Sequence, residues 1–334
     1  MARLEPWRGV MNNRFSTLIG RDVVGLALGV LNGDQSTVWA YGPVASDQIF
    51  AIGSITKVFT AVLLADMVER GEVRLEDPIS RYLCSKVRKL GSAGDDIKLE
   101  QLVTHTSGLP RLPRNLMPRA LLNRANPYAR YTVLHLERAL ARAKAPPSRQ
   151  GPVLYSNYGF AVLGYVLTVA LERGYEDLVL DRVCRPLGMT ETTVRVPPEF
   201  AGRQATGHGR DGRSVPDWDL RIFAPAGGLR STVDDMLRFL AANLHPKDAP
   251  IGTALELAQR GRRRVTPNDG IAMGWHIRRW SDRTVLWHNG GTSGFGSFCA
   301  FERRRSIAVV ALYNSPPTPK VDAACFALLE DLGP

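Results

Sequence analysis

The strand signals of this chain lie at its two ends, and that placement restricts the fold more than any other feature. Near the start, "VVGLALGVL" (Val23 to Leu31) and "STVWAYG" (Ser36 to Gly42) flank the turn pair Asn32-Gly33, the pattern of a β-hairpin. Towards the other end come "GIAMGWHIRRW" (Gly270 to Trp280), "RTVLWHNGG" (Arg283 to Gly291), "GFGSFCAFE" (Gly294 to Glu302) and "SIAVVALYN" (Ser306 to Asn314). They are short and closely spaced, as in an antiparallel meander. From about residue 77 to 265 strand signals are sparse, and helical runs such as "YGFAVLGYVLTVALERG" (Tyr158 to Gly174) and "STVDDMLRFLAANL" (Ser231 to Leu244, with Ser231 as its cap) alternate with loops. The architecture that satisfies this order is α+β. One antiparallel sheet, flanked by terminal helices, is built from both ends, and a mostly helical subdomain is inserted between them. Residues 1–76 and 266–334 are expected to form the sheet subdomain and 77–265 the insert, with a ligand cleft between the two.

The 334 residues, 44% of them hydrophobic, suffice for one large or two intimate domains. A net charge of +11 comes mostly from arginine, in clusters such as "GRRRV" (Gly261 to Val265) and "ERRRS" (Glu302 to Ser306). No nucleic-acid-binding motif accompanies them, so they read as a solvated surface rather than a nucleic-acid interface. Cys84, Cys184, Cys299 and Cys325 are far apart, without metal-ligand spacing, and read as buried thiols. No stretch has a signal-peptide core or a membrane-spanning length, and the expectation is a cytoplasmic protein that does not engage a membrane.

The segment "FAIGSITKVFTAVLLADMVERGEV" (Phe50 to Val73) reads as a helix from about Ser54 to Arg70, apolar on almost every face and closed by Gly71. Ser54 and Lys57 share a face of its first turn, where unpaired amides create a positive end. A serine needs a base to become a nucleophile, and burial in a positive field lowers a lysine pKa enough to supply one. The bare Ser-x-x-Lys pattern is short enough to arise by chance. Two further stretches add weight. In "VLYSNYGF" (Val153 to Phe160), Tyr155 and Asn157 precede the next helix and point the same way from an extended segment. A phenol whose pKa is lowered by cations can relay a proton, and Asn157 can orient a carbonyl and contact the lysine. In "WHNGGTSGFGSF" (Trp287 to Phe298), His288 ends an apolar strand and is followed by Gly290 and Gly291, which let a substrate or backbone approach the strand edge. His105, in "THTSGL", reads as a structural histidine outside these three elements.

In this order and at these positions the three elements resemble the motifs of the serine β-lactamase and penicillin-binding-protein superfamily, and most of all its class C branch. Ser54-Ile55-Thr56-Lys57 resembles the first motif, Tyr155-Ser156-Asn157 the second, and His288-Asn289-Gly290 stands where class C lactamases have Lys-Thr-Gly. "LEDPISRYL" (Leu75 to Leu83), "IKLEQLVTHTSGLP" (Ile97 to Pro110) and "GGLRSTVDDMLRFL" (Gly227 to Leu240) look like the family as well.

The resemblance implies an enzyme with no metal or organic cofactor, acting on a small acylated substrate. Ser54 would be acylated, and Lys57 and Tyr155 would move protons with support from Asn157. The backbone N–H groups of Ser54 and Gly291 would form an oxyanion hole. His288 and Gly290 would line the substrate. A histidine in the third motif, charged only part of the time near neutral pH, would hold a substrate carboxylate less firmly than lysine. That departure, with a cytoplasmic location, favours an esterase. An acyltransferase serving an alcohol or amine acceptor is the alternative, and a DD-carboxypeptidase or weak β-lactamase a further one. The arginine-rich segment Arg111 to Gln150 reads mainly as an exposed basic helix and loop, although it could receive an anionic group.

Overall fold

The computed structural model describes residues 5–83, 97–123, 125–143, 152–280 and 282–332. Among them, eight strands form one antiparallel sheet. The first two are β1 (Leu26–Asn32) and β2 (Gln35–Tyr41). Six more follow late in the chain: β3 (Arg263–Arg264), β4 (Asp269–Ile271), β5 (His276–Trp280), β6 (Arg283–Gly291), β7 (Gly296–Glu302) and β8 (Ile307–Tyr313). The spatial order is β2-β1-β8-β7-β6-β5-β4-β3, so the amino-terminal hairpin joins the meander where Leu26 faces Tyr313 and Asn32 faces Ile307.

The central strands are apolar on both faces because helices cover both. On one face Leu26, Leu28, Val30, Val309 and Ala311 meet Met11 and Phe15 of α1 (Glu5–Ser16) and Val321, Cys325 and Leu328 of α6 (Pro319–Asp331). On the other, Ala27, Leu31, Val310 and Leu312 join the main core with α2 (Thr56–Glu69), α3 (Asn157–Leu171), α4 (Val233–Leu244) and α5 (Gly252–Gln259). Gly29 permits the closest approach there: a Cβ on it would lie 2.6 Å from Val233 Cγ1. Residues 233–259 fall in the stretch expected to be insert, yet α4 packs directly on β1 and β8.

α2 has no polar face and is buried along nearly its whole length, as a helix apolar all round requires. Gly71, at φ +70°, follows its end. Several local expectations are corrected. Gly270 to Trp280 is not one strand but the β4–β5 hairpin. Gly274 makes its turn at φ +71°, packed so closely on α2 that a Cβ would lie 2.9 Å from the Lys57 carbonyl oxygen. The cap of α4 is Thr232, whose hydroxyl accepts from the Asp235 amide, while Ser231 belongs to a two-residue ribbon with Phe50. Asn157 is the first residue of α3, capped by Ser156, rather than part of the extended segment. Gly33 and Asp34, one residue later than expected, join β1 to β2. Cys184, Cys299 and Cys325 are buried thiols; Cys84 lies outside the described residues. No helix among those residues is long and apolar enough to cross a membrane.

Candidate active site

A single 3-10 turn, Gly53–Ile55, delivers Ser54 from the ribbon into α2. Gly53 sits at φ +50° because its backbone presses against β6, where a Cβ would lie 2.4 Å from the Gly291 nitrogen. The contact is reciprocal: a Cβ on Gly290 would stand 2.2 Å from the Ile52 carbonyl oxygen and 2.8 Å from the Ser54 nitrogen. Ser297 ties the same Ile52 carbonyl down with a 2.8 Å hydrogen bond. Three glycines therefore bring the first-turn amide of Ser54, which has no intrahelical acceptor, beside the backbone of Gly291.

Lys57 lies one turn behind. It is fully buried, 3.0 Å from Ser54 Oγ, and donates to the Ala226 carbonyl at 2.5 Å. Burial, with Arg111 adding repulsion, holds its pKa well below the ordinary lysine value. That shift favours the neutral amine, and an amine in hydrogen-bond contact with a hydroxyl can take its proton when neutral.

Tyr155 faces this pair, its ring centroid 4.9 Å from Lys57 Nζ. The expectation of a lowered phenol pKa is reversed. Burial pushes Tyr155 up to about 12, against the opposing pulls of the Ser54 hydroxyl and Arg111. The phenol is thus held towards its protonated form, while the Lys57 amine is held towards its neutral one. Asn157 lines the cleft beside it, and its Oδ1 is buried without a partner among the described residues.

His288 also differs from its expected state. It is 1% exposed, and its Nδ1–H donates 2.5 Å to the Asn289 carbonyl, leaving Nε2 buried without a partner among the described residues. Burial, with His276 and Lys57 close by, pushes its pKa well below the usual histidine range, so it is neutral rather than partly charged near pH 7. The cleft is lined instead by its neighbours Asn289, Gly290 and Gly291. The Asn289 amide group donates 2.6 Å to Asp322 of α6.

The structure adds residues that the motifs did not indicate. His276 lies between Trp287 and Tyr155, with ring centroids 4.8 and 6.4 Å away, and burial lowers its pKa to about 4. Reading Gly270 to Trp280 as a hairpin would have found it, since His276 pairs with Trp287 across β5 and β6. His105 is structural as expected, but it belongs behind the site rather than apart from it. Its Nδ1 accepts from the Ser156 amide at 3.1 Å, and its ring lies 4.6 Å from that of Tyr155. Arg111, Tyr128, Trp218 and Phe223 complete the helical wall of a cleft of about 500 Å³. Residues 124 and 144–150 of the arginine-rich segment lie outside the described residues. Among the described residues no cluster suited to a metal ion is present.

A family model for beta-lactamases matches residues 11–333. The chain belongs to the beta-lactamase family. It is 28% identical to a beta-lactamase of Escherichia coli K12, over 86% of this chain and 82% of that one. It is likewise 28% identical to the D-alanyl-D-alanine-carboxypeptidase/endopeptidase AmpH of Escherichia coli K12, over 90% of this chain and 82% of that one. A crystal structure of a class C beta-lactamase from Rhodobacter sphaeroides superposes with a TM-score of 0.83 at 25% identity, covering 97% of this chain and 98% of that one. These findings place the protein in the serine β-lactamase and penicillin-binding-protein superfamily, as a hydrolase of beta-lactamase-like type with the class C fold.

Proposed function

We propose that the protein hydrolyses a small ester through an acyl-Ser54 intermediate. Ser54 Oγ attacks the carbonyl carbon while its proton passes to Lys57 Nζ. The carbonyl oxygen becomes an oxyanion held by the backbone N–H groups of Ser54 and Gly291. Collapse breaks the bond to the leaving alcohol, which takes a proton relayed from Lys57 through the Tyr155 hydroxyl. Water then repeats the sequence on the acyl-enzyme, releasing the acid and restoring Ser54. Asn157 orients the acyl group, and His288 braces the Tyr155 side of the site as a neutral ring.

One observation carries the choice of an ester over a β-lactam or peptide. His288 is buried and neutral, so no cation stands at the third-motif position, where the family's lysine would meet the carboxylate of a β-lactam or peptide. The aromatic side chains of Tyr128, Trp218 and Phe223 supply apolar contact for the acyl chain instead. A short p-nitrophenyl ester should give burst kinetics and an intact-mass adduct on Ser54, both lost in Ser54→Ala. An enzyme with no burst and no adduct would overturn the reading. The AmpH relative supports a second reading, cleavage of a peptide ending in D-alanyl-D-alanine. Release of D-alanine faster than ester turnover would favour it. Ester product that shifts from acid to a new ester or amide in the presence of alcohols or amines would identify an acyltransferase.

A further inference from the structure

Arg111 is set apart from the clustered arginines of the sequence by its place in the cleft. Arg303, Arg304 and Arg305 each face a carboxylate, on Glu256, Asp282 and Glu302. Arg111 is the one lysine or arginine among the described residues that line the cleft, and no carboxylate lines it. Its position is set by the backbone: its carbonyl accepts from the amides of Asn157 and Tyr158 at 3.1 and 3.2 Å, anchoring it at the start of α3. Its side chain is exposed, and the guanidinium carbon lies 5.3 Å from the Tyr155 ring centroid. The opposite wall has no lysine or arginine among the described residues to match it, and the side-chain amide group of Asn289 donates to Asp322.

We propose that Arg111 is the carboxylate receptor of this cleft and makes the enzyme selective for acyl substrates that carry a negative charge. The anion pole then sits on the helical wall, across the cleft from the third-motif strand. Lys57 does not compete for the anion, because it is buried and its amine is engaged by Ser54 Oγ and the Ala226 carbonyl. The guanidinium fork suits a carboxylate, and such charge-assisted pairs are among the stronger hydrogen bonds. The inference rests on the acyl-Ser54 reading for its substrate, and the experiment separates the two.

Two matched ester pairs test it. Mono-p-nitrophenyl glutarate and p-nitrophenyl valerate differ by a carboxylate on the acyl half. A carboxyphenyl and a phenyl valerate differ by one on the leaving half. In at least one pair the wild type should prefer the charged ester in kcat/KM by about tenfold to a hundredfold at low salt. Arg111→Gln should bring that ratio to about one, Arg111→Lys should keep part of it, and Arg111→Glu should invert it. Any effect of Arg111 on Lys57 acts on both members of a pair and cancels in the ratio. A wild-type ratio near one in both pairs, or a preference that survives Arg111→Gln, overturns the proposal. If no ester acylates Ser54, the catalytic reading fails instead, and Arg111 is judged by glutarate binding to Ser54→Ala with and without Arg111→Gln. Equal binding refutes the receptor, and loss of binding supports it.

Discussion

The two walls of the cleft are built on different principles. The sheet wall is close-packed around backbone: Gly53, Gly290 and Gly291 leave no room for a Cβ, and burial holds both of its imidazoles, His276 and His288, below the usual histidine pKa. The helical wall is made of side chains, with Arg111, Tyr128 and Trp218 projecting from separate segments onto the cleft. Under the proposed acyl-Ser54 reading the first wall holds the oxyanion and has no room for a side chain at its glycines, while the second can be altered residue by residue. That reading has reaction chemistry and substrate choice carried by different kinds of contact.

The sharpest way to test that division is to remove the base. Lys57→Met should cut ester turnover by about 10²–10⁴-fold. It should also make the protein more stable near pH 7. In the folded state the lysine pKa is held well below its ordinary value, so the unfolded chain binds more protons and stability rises as pH climbs towards about 10. The melting-temperature advantage of Lys57→Met should therefore shrink between neutral and alkaline pH, and a constant difference would contradict it. Next in size is Gly290→Ala. Its Cβ meets the Ile52 carbonyl and the Ser54 amide, so kcat should fall about 10²-fold or more while circular dichroism still shows a folded chain.

On the helical wall the effects should be smaller and of another type. Arg111→Gln removes a positive charge near Lys57, which raises the lysine pKa. The acidic limb of kcat/KM should therefore move to higher pH with charged and neutral esters alike; an unmoved limb would show that the two groups are not coupled. Trp218→Ala should raise KM by about threefold to tenfold with kcat retained, because it removes apolar contact shared by ground and transition states. A fall in kcat of the same size would mean that the two walls are not separable.

Much of this was legible in the sequence, for identifiable reasons. Strand runs at both ends and a helix with no polar face leave few ways to bury their apolar surface, and the sheet closes as that pattern requires. Ser54, Lys57, Tyr155 and Asn157 were locatable because each sits at an element boundary with a recognisable local pattern. Their protonation was less legible, since the Tyr155 and His288 shifts are set mainly by burial, a tertiary property. His276 was hidden by taking a hairpin for one strand. Arg111 read only as one arginine of a basic segment, and that no carboxylate among the described residues lines its cleft is visible only once the surrounding side chains are placed.

The pairing of β1 with β8 also bears on the order in which the molecule can be made. A ribosome extends the chain from its amino end, so the β1–β2 hairpin and the helix carrying Ser54 and Lys57 emerge first. They must wait through the entire helical middle for the strand that completes their sheet. During that interval β1, apolar up to Asn32, has an open edge, the kind of surface that invites association with other chains. Gly290 and Gly291 arrive only shortly before β8, so the Ser54 and Lys57 half of the proposed reaction centre is synthesised early and stays idle until β6 docks against it.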